Sequence, residues 1–200
     1  LRYTKSKLHI TGVSTKKGID LITAAKREGL NISCSATPYH GWFCDEDLQH
    51  YDTNLKVNPP LRSKQDMLTV QQAIADGVID CIASHHLPQH SDNKACEFEY
   101  AKNGMTGLQT LFGAVNYFAK DLPRLIEQLT TAPRKIFGIA APEIKEGETA
   151  CLTLFDPVAE TVFEKKDILS KSYNTAFTGK KLKGKVIGIV NKNKWVPHNK

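Results

Sequence analysis

The sequence predicts an α/β fold, in which parallel strands joined by helical crossovers are followed by a small all-β segment. Three observations carry this reading. Strand-like and helix-like stretches alternate with short joins from Leu8 to Ser84, which implies parallel strands and right-handed connections. The apolar run Val78–Ala83 leads straight into Ser84-His85-His86-Leu87-Pro88-Gln89-His90, the way a barrel strand delivers side chains to its C-terminal rim. After Ala140 the pattern changes to the two-residue alternation of half-buried strands.

Each element has its own signal. Leu8–Val13 is a short strand. Ser14 is placed as the cap of a helix that carries Ile19, Ile22 and Ala25 on one face and exits at Gly29. Asn31–Ala36 is the second strand, and Thr37-Pro38-Tyr39-His40-Gly41 opens a long loop at its end. Ser63, three residues before Asp66, reads as the N-cap of a second helix that carries Met67, Val70 and Ile74 and stops at Gly77. Val78–Ser84 is the third strand. The polar loop after it, residues 87–103, has the length of a functional lid. Helices are expected at Leu108–Phe118, Leu122–Leu129 and Ala132–Ile139. Strands are expected at Ala150–Asp156 and Val186–Val190, the latter pairing with Trp195-Val196 around Asn191–Lys194.

Composition narrows the functions. Of the 200 residues 40% are apolar, enough for a sizeable core. The net charge of +6 does not by itself indicate nucleic acid, because the lysines are dispersed and no aromatic-interleaved basic stripe is present. The run Lys180-Lys181-Leu182-Lys183-Gly184-Lys185 is read as the solvated start of a strand, with an anionic partner surface as the minority reading. The five cysteines are odd in number and lack a Cys-x-x-Cys pair, which disfavours a zinc ribbon or a disulfide framework. Cys34, Cys81 and Cys151 lie in apolar runs and are expected in the core. Such usage fits a reducing, cytoplasmic compartment. No signal peptide or apolar run of membrane-spanning length is found, so no membrane partner is expected. No Gly-x-Gly-x-x-Gly, Walker or Gly-x-Ser-x-Gly motif is present. The chain begins at Leu1, close to a strand, and is expected to be a piece lacking its N-terminal part.

Several ordered motifs together resemble one family. Leu8-His9-Ile10-Thr11-Gly12-Val13-Ser14-Thr15 is similar to a His-Ile-Cys-His-Val-Ser-Thr strand. Asp45-Glu46-Asp47-Leu48, then Lys56-Val57-Asn58-Pro59-Pro60-Leu61-Arg62-Ser63, is the strongest match. Ile79–Ala83, Glu97-Phe98-Glu99, Gly104–Thr110, Lys145-Glu146-Gly147 to Phe155-Asp156-Pro157, and Lys183–Val186 follow in order. These segments resemble the dihydroorotases of the amidohydrolase superfamily. The resemblance implies the C-terminal half of a (β/α)8 TIM-type amidohydrolase barrel over residues 1–141. A small all-β domain over residues 142–200 follows, part of a composite β-sandwich.

The resemblance also implies chemistry: zinc-bound hydroxide hydrolysing a cyclic amide, with an aspartate as metal ligand and general acid/base. Here His85 stands at the aspartate position, Gly12 at a zinc-binding histidine, Gln89 at a substrate-holding histidine, and Ser35 where many members carry a glutamate. Glycine offers no donor. An imidazole bound to metal through one nitrogen carries a proton on the other, so His85 cannot easily both ligate and accept a proton. His9 lies an odd number of residues from Gly12 and is expected to point to the other face of its strand. Asn58 reads either as a substrate contact, as in the family, or as a polar anchor for the Pro59-Pro60 turn. Gly104 reads as a backbone approach to the substrate ring or as loop geometry.

The expectation is a dihydroorotase-like protein of pyrimidine biosynthesis that is catalytically inactive and has a structural or regulatory role, with no catalytic residue confirmed in this half and no metal. The alternative is a zinc amidohydrolase in which His85 ligates the metal. Expected partners are its own N-terminal barrel half, aspartate transcarbamoylase or an active paralogous dihydroorotase, and a further copy in a homo-oligomer.

Overall fold

The computed structural model describes residues 1–198. Strands β1 (Leu8–Ile10), β2 (Ile32–Ala36) and β3 (Cys81–Ile82) form a parallel sheet in that order, with Leu8 beside Ile32 and Ser35 beside Cys81. The ladder reaches past β3 at both ends, since Asp80 N–H donates to Cys34 O and Ala83 N–H to Ala36 O. The third strand is therefore shorter than its apolar run.

Helices α1 (Lys16–Arg27) and α2 (Lys64–Ala75) make the two crossovers. The cap of α1 is Thr15, whose hydroxyl accepts from Gly18 N–H; Ser14, expected in that role, is buried one residue earlier. Ser63 caps α2 as expected. The Asp66 carboxylate also accepts Lys16 N–H at 2.7 Å, tying the starts of the two helices together. That backbone N–H is the main reason the Asp66 carboxyl sits below its ordinary pKa.

One face of the sheet packs on the helices. Cys34, Ala36 and Ile82 meet Ile19, Val70 and Ile74 in a single apolar cluster. Beside it, Asp80 accepts Cys34 N–H at 2.7 Å and Lys26 Nζ at 2.6 Å. The ion pair is only about a quarter exposed on either side. Removing the carboxylate strands a backbone N–H and a half-buried ammonium. Asp80→Ala is therefore expected to lower stability by about 2 kcal/mol in urea denaturation, and Lys26→Met by less.

Helices α3 (Leu111–Phe118), α4 (Leu122–Leu129) and α5 (Thr131–Phe137) follow. The first starts three residues later than its periodicity implies; Gly107 and Leu108 lie in the turn before it, where their N–H groups donate to His86 Nδ1. A second, antiparallel sheet is built from β4 (Cys151–Val162), β5 (Lys181–Asn191) and β6 (Lys194–Pro197), in that order. Strands β4 and β5 are longer than their apolar cores. A bulge lets them continue, with Asp156 accepting Val158 and Ala159 N–H. Cys151 is exposed, not in the core, because it opens β4 on an uncovered part of the sheet; Cys34 and Cys81 are buried.

The two parts share packing. Phe177 and Leu182 join Tyr39, Phe43 and Met105 in a second apolar cluster. Residues 199 and 200 of the expected all-β span, 142–200, lie outside the described residues. Among the described residues no helix is long and apolar enough to cross a membrane.

Candidate functional site

The C-terminal ends of the parallel strands converge on one rim. Thr11 follows β1, the turn Pro38–Gly41 follows β2, and Ser84–His86 follow β3. A cleft of about 240 Å³ opens there, lined by Tyr39, Asn58, His85, His86, Asn103 and Gly104, with Leu87 at its lip. Asn58, His85 and Gly104, singled out from sequence, are thus brought together. Gln89 does not line the cleft. Its amide nitrogen donates to Asn103 O at 2.9 Å and its oxygen accepts from Asn93 at 3.3 Å, so it braces the neighbouring loop. His90 is well exposed beside Asp92.

His85 has a left-handed backbone, φ +42°, uncommon for a residue with a side chain. Its Nε2 lies 2.8 Å from Thr11 Oγ1 and its Nδ1 lies 3.4 Å from the Tyr39 hydroxyl. Ser35 Oγ donates to Thr11 Oγ1 at 3.1 Å. Burial pushes the His85 pKa down, favouring the neutral ring. Burial also raises the Tyr39 phenol to about 12, so it stays protonated.

Gly12 faces this ring. With φ +71°, it takes a conformation that suits glycine, and a Cβ placed on it would lie 2.7 Å from His85 Cε1 and 3.1 Å from Pro59 Cδ. The zinc implied by the resemblance does not fit the side chains this chain provides here. Gly12 has no donor, the imidazole fills the space its side chain would need, and both ring nitrogens already face hydroxyls. Among the described residues no three His, Cys, Asp or Glu side chains gather at one point. His9 does not substitute, though not for the reason its odd offset suggested: two residues before Thr11 and on the same face of β1, it lies nearer the other end of the strand, where it pairs with Ser33 Oγ at 2.8 Å and meets the Phe137 ring edge-on.

The rest of the rim is held by hydrogen bonds. His86 Nδ1 accepts Gly107 N–H at 3.1 Å, so Nε2 carries the hydrogen of the neutral ring. Buried His40 is flanked by Thr37 Oγ1 and Pro59 O, each 2.9 Å away, and so supports the turn that presents Asn58. Gly104, φ +115°, lets Leu87 approach; a Cβ there would fall 2.6 Å from the leucine side chain. The expected lid, residues 87–103, is stitched down. Lys94 Nζ donates to Thr53 O and Lys102 O, and Lys56 Nζ donates to Phe98 O and Glu99 O.

Three contributors escaped the sequence reading. Thr11 and Tyr39 were seen only as parts of a strand and a loop, although Thr11 has the same strand parity as His9. Asn174 lies far along the chain, where no periodicity marks it. Its side chain accepts Gln89 N–H at 3.1 Å and donates to Leu87 O at 3.0 Å and Gly104 O at 3.1 Å.

A larger cavity, about 590 Å³, lies at the other end of the sheet, among Lys7, Ser33, Asp80, Arg124 and Gln128. It faces the N-terminal ends of the strands, the end that serves stability in such folds. The C-terminal rim is therefore the candidate site.

A scan against protein-family models finds no match. Curated relatives are informative. The chain is 37% identical over 186 residues to the dihydroorotase of Geotalea daltonii, covering 91% of this chain and 44% of that protein. It is 38% identical over 192 residues to the dihydroorotase of Caldicellulosiruptor saccharolyticus, covering 94% and 45%. The chain thus spans less than half the length of the curated relatives it matches. Among solved structures, the L-hydantoinase (dihydropyrimidinase) of Arthrobacter aurescens superposes with a TM-score of 0.89 at 24% identity, over 98% of this chain and 46% of that one. The dihydropyrimidinase of Brevibacillus agri gives 0.84 at 20% identity, over 98% and 45%. At that identity these structures speak for the fold, and they agree with the C-terminal portion of an amidohydrolase barrel with its β segment.

Proposed function

The chain is a dihydroorotase-family sequence, matching the C-terminal portion of its relatives, and from that premise we propose that it is part of a dihydroorotase-like protein of pyrimidine biosynthesis that has lost catalysis and serves a structural or regulatory role. One observation carries the reading: His85, at the family's acid/base position, is bonded through both ring nitrogens and packed over Gly12. A proton acceptor must present a free lone pair to the hydroxide it activates. Here Nε2 faces a threonine hydroxyl.

In this proposal the protein works in the cytoplasm. Its own N-terminal barrel half covers the open sheet. Aspartate transcarbamoylase, an active paralogous dihydroorotase or a second copy of the chain is its partner. No zinc is needed at this rim. The test is an assay of the full-length protein for interconversion of dihydroorotate and N-carbamoyl-aspartate, with and without added zinc. Turnover indistinguishable from the uncatalysed reaction is expected in both.

A second reading keeps a zinc-dependent cyclic-amide hydrolase with an altered metal site. It is favoured by the persistence of the cleft, with Asn58, His86 and Gly104 still converging on it. Zinc-dependent turnover abolished by His85→Ala would establish it and end the first.

A further inference from the structure

We propose that His85 is an internal clasp that occupies the rim position where the resemblance implies metal ligands, joining the strand ends through hydrogen bonds and excluding a cation there. The inference deepens the non-catalytic reading and rests on it. It concerns what has taken the place of the lost centre.

Three features of the geometry converge. The first is backbone conformation. His85 is held at φ +42°, and a side-chain-bearing residue persists in that region where its surroundings over-determine it. The left-handed turn folds the imidazole back over the end of β1. The second is steric reciprocity. The ring fills the space that any side chain at position 12 would claim, with 2.7 Å between His85 Cε1 and an added Cβ. Gly12 and His85 therefore form one arrangement and not two separate losses, because the ring can sit there only above a glycine.

The third is hydrogen-bond polarity. Ser35 Oγ donates to Thr11 Oγ1, which leaves the Thr11 proton to donate to His85 Nε2. Nδ1–H is then left to donate to the Tyr39 oxygen. A neutral imidazole has one lone pair in the ring plane, and in this chain of bonds Thr11 has taken it. The same lone pair would be needed for a metal bond. The links run from the residue after β1, through β2 and the turn behind it, to His85 three residues past β3. An ion in such a place ties strand ends together, and here an imidazole does so.

The test is a mutant cycle on the full-length protein, read by melting temperature. Gly12→Ala should lower Tm markedly in the wild-type background and much less when His85→Ala has emptied the space. The strain of φ +71° and the contact with Pro59 are common to both backgrounds and cancel. Should His85→Ala fail to accumulate, His85→Asn, whose shorter side chain also clears Gly12, takes its place in the cycle. Equal losses in both backgrounds would overturn the clasp. Zinc chloride and a chelator supply the second arm. Wild-type Tm should show no zinc-dependent rise that His85→Ala removes, and finding such a rise would refute the proposal. The two readings fail separately: dihydroorotate turnover that survives His85→Ala defeats the non-catalytic assignment yet supports a clasp that holds no metal.

Discussion

Asn174→Ala is expected to destabilise the full-length protein by about 3 kcal/mol and to loosen the cleft rim. Its side chain is almost fully buried and makes three bonds to backbone, with Gln89 N–H on one side and the carbonyls of Leu87 and Gly104 on the other. Its own carbonyl also accepts Thr106 N–H at 2.8 Å. Truncation leaves three backbone groups without partners. Each orphan costs about 1–3 kcal/mol when water cannot replace the lost bond, and partial rehydration keeps the total below their sum. Asn174→Asp is a sharper variant. It keeps the acceptor for Gln89 but sets a carboxylate against two carbonyls, so it should destabilise at least as much. Urea midpoints give the loss, and hydrogen exchange at Leu87 and Gln89 locates it. A loss below about 0.5 kcal/mol for both variants would show that the rim stands without this residue.

The second large effect is a dependence on pH set by His40. The ring is buried, and desolvation is the main reason its pKa falls from 6.5 to about 4; the Pro59 carbonyl opposes the shift, and the nearby His85 and Arg62 add to it. The sign follows from proton counting. Between about pH 6.5 and 4 the unfolded chain binds a proton at this position and the folded chain does not. Stability is therefore full above pH 6.5 and falls as the solution is acidified toward 4. A difference of about 2.5 units is worth roughly 3 kcal/mol. His9 and His85, both lowered by burial, act in the same direction. Asp66 acts in a separate window: its lowered pKa gives stability that is present above its unfolded value, near 3.8, and lost below it. Urea midpoints of wild type and His40→Gln between pH 4 and 8 isolate the term. The variant should be less stable at pH 8 and should lose less on acidification. Parallel curves would mean that His40 is not the group being titrated.

Much of the architecture was legible because two periodicities and a few caps determine it. Ser63 with Asp66, the glycine stops at Gly29 and Gly77, and the apolar faces of the crossover helices place β1 to β3 in order. What the sequence reading missed was decided by groups distant in the chain. Leu108 looks like the start of a helix by periodicity, yet it lies in a turn anchored on the distant His86 imidazole. Strand β4 outruns its apolar core because Asp156 stabilises a bulge, which no alternation records. Cys151 resembles a core residue in one dimension and is exposed in three, since nothing among the described residues covers that part of the sheet.

The rim shows the same division. Resemblance picked out Gly12, Asn58, His85 and Gly104 as one site. Only geometry shows that the imidazole stands over Gly12 and that Thr11 and Tyr39 hold it. Gln89 matched a substrate-holding position, and its amide is engaged in bracing the 87–103 loop. Asn174 was beyond reach, because a single polar residue in an irregular stretch becomes meaningful only when the fold brings Leu87 and Gly104 to it.

The place of Asn174 and Phe177 in the chain has a consequence for biogenesis. During synthesis the strands and helices of the barrel half leave the ribosome well before these two residues do. Until then the carbonyls of Leu87 and Gly104 lack the amide that pairs them, and Trp42 and Phe43 lack the ring that packs on them. A nascent chain halted short of residue 174 would carry every cleft-lining residue and still have an unfinished pocket, so the site matures only once that later stretch has emerged.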